Sequence, residues 1–353
     1  GIGTYYTDLT WGRVSFAIIE DRKFKTGPAG MIPRQGPRPD HIRNPEYDPK
    51  SVDVPQARLL GERQLKFLDA WGQDWSDVDV KAALSQTIFC GGAHIHGRIN
   101  GRLHADLDSN GWPQTGRNKA IGALRKAFAF HYAGDQHLAT VFHHGIDEWR
   151  DSIHSFCVPS IAAGYPRAWR PDMEGQAVDN RPKGGGPNTG DYEDGLGLPV
   201  RVYAIGNPAF KNRPGALPTL HDKSSGYGIV RFNTKKQTYT VECWRLLIDA
   251  AKPKDGDQFP GWPKTIHLTD NYGRAAVAHL PTIEVKGIQD PVIQVINETD
   301  KEIVYTLRIR GNSLRPKVFA NTPHTLKIQD AATGKTKTLK GVKPEAGKLT
   351  VKF

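Results

Sequence analysis

Histidine is distributed unevenly along this sequence. Eight of its thirteen histidines fall between His94 and His154, at positions 94, 96, 104, 131, 137, 143, 144 and 154. Asp106, Asp108 and Asp135 are interleaved with them. Neutral imidazole and carboxylate are the ligands that zinc, iron, manganese and similar ions take. Polar loops and core histidines produce the same clustering without a metal. Gly134-Asp135-Gln136-His137 narrows the choice, because glycine permits a sharp turn and the Asp and His, two apart on an extended loop, point the same way. That suits one carboxylate and one imidazole reaching adjacent ions; a surface turn is the plainer alternative. His143-His144 reads as part of a strand, one ring inward and one outward.

These residues need elements to hold them. Val14 to Glu20 is a short apolar, β-branched run ending on Asp21-Arg22, which predicts a buried strand. Ala57 to Trp71 predicts a helix, with Leu60, Phe67, Leu68 and Trp71 on one face. Leu84 to Phe89 is a second apolar run, followed by Cys90-Gly91-Gly92 and then His94 and His96. Asn118 to Ala127 predicts a second helix, Phe128 to Ala133 a third strand, and Leu138 to Phe142 a fourth. Strands separated by helices argue for an α/β sandwich. In such sheets ligands bind outside the carboxyl ends of strands, where Asp21, Cys90–His96 and Asp135 with His137 are expected to converge. Further strands are predicted at 200–205, 228–232 and 238–244. From about Pro281 apolar and polar residues alternate, as in Ile303, Tyr305, Leu307 and Ile309, and Asp330 to Lys335 is a hairpin signal. The expected division is residues 1–280 and a small antiparallel β-sandwich over 281–353.

Composition excludes several classes. The chain has 353 residues, 38 % of them hydrophobic and 24 % charged, which rules out a disordered or fibrous polymer. No stretch of about 18 apolar residues occurs, so no membrane-spanning helix is expected. Three cysteines are too few for a disulfide scaffold, and no CxxC is present for zinc. The net charge is +11, of which +6 lies beyond residue 280 as lysines alternating with Thr and aliphatics. That is the wet face of strands rather than a focused nucleic-acid patch, and nucleic acid is not expected as a ligand. Gly184-Gly185-Gly186 lacks a following GK[ST], so it is no P-loop. Cys90 reads as a buried small residue at a strand end, or as a nucleophile near His94.

Four segments occur in order: Trp11-Gly12-Arg13-Val14-Ser15-Phe16 through Asp21-Arg22-Lys23-Phe24; the helix Arg58 to Gln64; Asp108-Ser109-Asn110-Gly111-Trp112-Pro113; and Gly134-Asp135-Gln136-His137. Together they resemble the second half of the catalytic domain of alkaline phosphatase D (PhoD-type) metallophosphatases, and Leu220 to Val230 resembles longer members. The resemblance covers about residues 1–245. It implies a calcineurin-like four-layer α/β/β/α metallophosphoesterase with two metal ions (iron with calcium, or zinc or manganese), secreted or periplasmic, hydrolysing phosphate mono- and diesters. Its GDxH ligands carry over to Asp135 and His137. Two ions about 4 Å apart acidify the attacking water and hold the phosphoryl oxygens in line. Arg22 is then a candidate to offset charge on the phosphoryl group, or the partner of a neighbouring acid. His94 and His96 are candidates to ligate, to protonate the leaving oxygen, or to pack.

The family builds the other half of its metal site from earlier strands. No Gly-Asn-His occurs here, and the only other Gly-Asp pairs, Gly190-Asp191 and Gly256-Asp257, lie in downstream loops. The resemblance therefore implies an incomplete dimetal centre, to be completed by an N-terminal portion, upstream or present as a separate fragment. The alternative is a non-catalytic secreted or cell-surface protein that reuses the fold.

Overall fold

The computed structural model describes residues 3, 5–162 and 164–353. In chain order the first half contains β1 (Thr7–Trp11), β2 (Val14–Ile18), β3 (His41–Ile42), α1 (Glu62–Gln73), β4 (Val80–Leu84), β5 (Ile95–His96), β6 (Ala105–Asp106), α2 (Gln114–Lys126), β7 (Phe130–Ala133), β8 (Thr140–His144), β9 (His154–Cys157) and β10 (Arg167–Ala168). It continues with β11 (Gly190–Glu193), β12 (Pro199–Ile205), α3 (Ala216–Asp222), β13 (Gly226–Asn233), β14 (Thr238–Arg245) and β15 (Lys264–His267). The remainder is all strand: β16 (Ala278–His279), β17 (Thr282–Lys286), β18 (Val292–Asn297), β19 (Ile303–Arg308), β20 (Ser313–Leu314), β21 (Lys317–Val318), β22 (His324–Gln329), β23 (Thr336–Val342) and β24 (Lys348–Lys352).

An eight-stranded mixed sheet organises the chain, in the order β1-β2-β4-β7-β9-β8-β12-β11. Its centre is four parallel neighbours, β2, β4, β7 and β9. The helix predicted from Ala57 begins only at Glu62, because Gly61 at φ 76° starts it. The second strand is Val80–Leu84, upstream of the apolar run at 84–89. Lys81 obscured it: the side chain is fully buried, with Nζ donating to the Trp71 carbonyl and lying 4.3 Å from the Trp71 ring.

Both faces of this sheet are covered. Ala17 and Ala83 join Leu68 and Trp71 of α1 and Ile121 and Leu124 of α2 in one apolar cluster. Val14, Val80, Ala82, Phe130 and Tyr132, the alternate strand positions, join Tyr239 and Val241 of the β13-β14-β15 sheet in another. Strands buried on both faces lose the polar/apolar alternation that marks a half-exposed one. The same two-sided cover buries His143 and His144 alike: His143 stacks on His154 with ring centroids 3.7 Å apart, and His144 Nε2 lies 2.7 Å from Ser155 Oγ.

Beyond residue 280, β19-β18-β22-β23 forms an antiparallel sheet and β20-β17-β24 a second, mixed sheet. The β22–β23 hairpin turns at 330–335, closed by Asp330 N to Lys335 O at 2.9 Å. The second sheet departs from the expected antiparallel pattern. Its β17 and β24 pair in parallel, since the last strand returns beside the first instead of following it through a hairpin. Ile283, Val295 and Leu326 belong to the same apolar cluster as Phe130 and Tyr239. At that junction the buried Asp79 carboxylate receives Arg13 Nε at 2.7 Å and Arg310 Nη2 at 2.9 Å. No helix among the described residues is long and apolar enough to cross a membrane.

Candidate functional site

The carboxyl ends of β2, β4 and β7 lie side by side, so the segments leaving them meet. Asp21, just past β2, is 2 % exposed. Its Oδ1 accepts from Gln86 N at 3.2 Å; its Oδ2 accepts from Thr87 N at 2.9 Å and from Asn110 Nδ2 at 2.5 Å. Asn110 Nδ2 also donates to the Thr87 carbonyl at 2.9 Å. Asp21 thus fastens the turn after β4 to the loop carrying Asn110. Thr87 extends the link, donating Oγ1 to Asp135 Oδ2 at 3.2 Å, and Gly134 N donates to Gln86 O at 2.9 Å.

Asp135 and His137 both occupy the left-handed region, at φ 63° and 50°. For residues other than glycine this is uncommon, and such strain concentrates at sites where structure over-determines the backbone. Gln136 N to Gly134 O at 2.7 Å tightens the turn. His137 is half-buried, and its Nδ1 lies 2.7 Å from the Tyr165 carbonyl. A carbonyl only accepts, so Nδ1 carries the hydrogen and Nε2 is the nitrogen left to ligate. A backbone carbonyl on one imidazole nitrogen is the usual support for a metal ligand at the other.

Arg22 is held by an acid. Its Nη2 pairs with the Asp108 carboxylate and its Nη1 donates to Asp108 O at 2.9 Å. Burial raises the Asp108 carboxyl, but the Arg22 hydrogen bond and the Arg22 and Lys25 charges outweigh it and hold it below its ordinary value. Lys25, which the sequence did not single out, donates Nζ to the carbonyls of Leu107, Asp108 and Ser109 at 2.7–3.0 Å. Burial, and then the Arg22 charge, pull its pKa down to about 8.

His94 and His96 lie on and beside β5 and are not linked into the Asp21–Thr87–Asp135 chain of hydrogen bonds. His94 Nε2 accepts from Arg170 N at 3.3 Å and sits 3.2 Å from Glu174 Oε1. His96 Nε2 lies 3.1 Å from the Ala93 carbonyl. Burial above all, helped by Arg102 for His94 and Arg167 for His96, lowers both to about 3. Both are therefore neutral imidazoles near pH 7. Cys90 is fully buried and burial raises its thiol well above the ordinary value, which leaves no thiolate for nucleophilic work.

The Gly134–His137 turn supplies two ligand candidates for a cation, one carboxylate and one imidazole. Their donor chemistry fits one side of a metal centre; two protein ligands are too few to hold two ions. A cavity of about 700 Å³ lies elsewhere, around His143, Arg150, His154 and Tyr203 towards the other end of the sheet.

No family model matches this chain, and no curated protein matches it. A solved chain described as "Structure of PhoD" is similar over 98 % of this chain and 45 % of its own length, at 11 % identity and a TM-score of 0.43. The chain thus spans less than half of that structure. A likeness of this degree assigns no site residue.

Proposed function

We propose that this chain carries one side of a metal-dependent phosphoester hydrolase centre, with Asp135 and His137 as metal ligands. The observation that carries the reading is the Gly134–His137 turn. It stands at the carboxyl end of a central parallel strand, with both candidate ligands in left-handed backbone and Nε2 of His137 left to ligate by the Tyr165 carbonyl. When bound, the metal lowers the pKa of its water and polarises the phosphoryl oxygens. The chain's own residues place the ligands: Asp21 pins Thr87, and Thr87 holds Asp135. Arg22 and Lys25 put positive charge beside the crevice, with Asp108 offsetting part of it. His94 and His96, neutral imidazoles at the working pH, do not act as proton donors in this reading.

In the same reading the eight-stranded sheet, its helices and the β13–β15 sheet are layers of an α/β/β/α sandwich, with residues 281–353 as an appended module. The remaining ligands come from a segment outside this chain, and the protein acts outside the cytoplasm on phosphate mono- and diesters. The test is phosphate release from a chromogenic monoester and diester, with and without chelator, by a preparation containing any upstream segment. Activity abolished by chelator and by Asp135→Ala and His137→Ala is expected; full rate in either variant refutes the assignment. A second reading, a non-catalytic surface or matrix protein, is favoured by the two-ligand count, and metal-free native material without phosphatase activity would establish it.

A further inference from the structure

A second group of ligand-type side chains lies beyond the Gly134–His137 turn. His41, His96 and Asp106 each present one ligand atom, and these atoms lie within 4.8 Å of one another; among the described residues no other such group of three or more is found. All three sit on strands of two residues that are pinned by cross-strand pairs. His41 faces Asp106 across β3–β6, and His96 faces Arg167 across β5–β10. His104 N to Ile42 O and Leu107 N to Asp40 O, both 2.8 Å, close the β3–β6 ladder on either side.

The side chains carry donor atoms of the type a metal takes. Asp106 is 5 % exposed; its Oδ1 accepts from Asp108 N at 3.0 Å, and its Oδ2 lies 3.9 Å from His96 Nε2, which shares its hydrogen with the Ala93 carbonyl at 3.1 Å and ligates only on giving that hydrogen up. The rings of His41 and His96 meet edge to face at 5.8 Å. His41 Nδ1 is buried without a hydrogen-bond partner. Buried His143 and His144 also leave one nitrogen unpaired, but neither is part of such a ligand group. Arg167 Nη1, 3.7 Å from Asp106 Oδ2, and Asp40 Oδ2, 3.6 Å from His41 Nε2, stand as outer partners. His96 also lines a cavity of about 530 Å³ bordered by Arg43, Arg98 and Arg102.

We propose that His41, His96 and Asp106 form a binding site for one divalent transition-metal ion of the zinc class. Two imidazoles and a carboxylate are the three-ligand set that zinc and iron(II) take while keeping a position open. This inference is independent of the Asp135/His137 centre.

Zinc itself is the probe, measured in the full chain by competition with a chromophoric chelator, with zinc-dependent change in thermal midpoint as a second readout. The Asp135→Ala/His137→Ala double variant removes the other candidate ligands. It is expected to retain one tight zinc. Adding His41→Gln or the isosteric Asp106→Asn to it should weaken that zinc by more than roughly tenfold, since even outer-partner losses cost about that much. Circular dichroism of the metal-free variants separates lost ligation from lost folding. Retained tight zinc in a folded His41→Gln or His96→Asn background, or no tight zinc in the double variant, overturns the proposal. In the latter case the Asp106 carboxylate serves only as the partner of Arg167.

Discussion

Asp21 and Asp135 are both aspartates at strand ends, yet the structure gives them opposite duties, and paired isosteric substitutions separate these. Asp21→Asn keeps the shape but removes the charge that three donors share, and turns an amide NH2 towards at least one of them. Hydrogen bonds to a charged group are worth about 1.5–3 kcal/mol each, and neighbours are not additive. With the residue 2 % exposed, water cannot substitute. The expected loss of stability is about 4 kcal/mol. Asp135→Asn forfeits far less: one hydroxyl donor, which the amide oxygen still accepts, and asparagine tolerates left-handed backbone. Its expected loss is under about 1 kcal/mol.

Activity should divide differently. Asp135→Asn removes a proposed ligand and should abolish phosphate release with the fold intact. Asp21→Asn loosens Thr87 and so displaces Asp135, and a 1 Å misplacement can cost roughly 100-fold. Urea midpoints give the stability differences, and initial rates below the transition give activity per folded molecule. The reasoning fails if Asp21→Asn costs less than about 1 kcal/mol, or if Asp135→Asn costs as much as Asp21→Asn.

The buried Lys81 gives a pH prediction. Burial lowers its pKa from 10.5 to about 7, so between these values the unfolded chain binds a proton that the folded chain does not. Stability contributed through this group therefore rises with pH across that window and is lowest at and below pH 7, by up to about 5 kcal/mol at 1.36 kcal/mol per unit. Lys81→Met should stabilise the protein at pH 7, with the gain shrinking or reversing by pH 10 as the lost bond to the Trp71 carbonyl comes to dominate; urea midpoints at both values check this, and equal effects at both would refute it. At Asp79, burial raises the carboxyl but the Arg13 and Arg310 hydrogen bonds outweigh it and hold it below its ordinary value. Its contribution is thus present above the ordinary carboxyl range and lost as pH falls through the folded value. Asp79→Asn should cost about 2 kcal/mol at pH 7 and converge with the parent in acid-titration melts. In a His41→Gln background, chelator treatment should abolish phosphate release and leave the stability from urea melts within about 1 kcal/mol, because Asp21 and Thr87, not an ion, fix the Gly134–His137 turn.

Legibility in the sequence followed burial. Val14–Ile18, Phe130–Ala133, Thr140–His144 and Thr238–Arg245 were visible as apolar or β-branched runs because their side chains carry the signal themselves. Val80–Leu84 was hidden because its second residue is a lysine, and His154–Cys157 because three of its four buried residues are His, Ser and Cys. Polar side chains satisfied inside a doubly covered sheet do not look apolar from the sequence. Ser155, which Nε2 of His144 and Nδ1 of His131 both meet at 2.7–2.8 Å, is such a case.

The two groups of candidate ligands differ in legibility for a related reason. Asp135 and His137 stand two residues apart, so a short pattern betrays them. His41, His96 and Asp106 are brought together only by β3–β6 and β5–β10, strands of two residues. Strands that short carry no period to detect. What separates a ligand from a pin is likewise absent from residue type. Asp21 is occupied by two backbone N–H groups and an amide, whereas Asp135 takes a single hydroxyl and His137 is tethered through the nitrogen a metal would not use. The distinction lies in which lone pairs the protein has already filled, and only the folded arrangement of donors decides that.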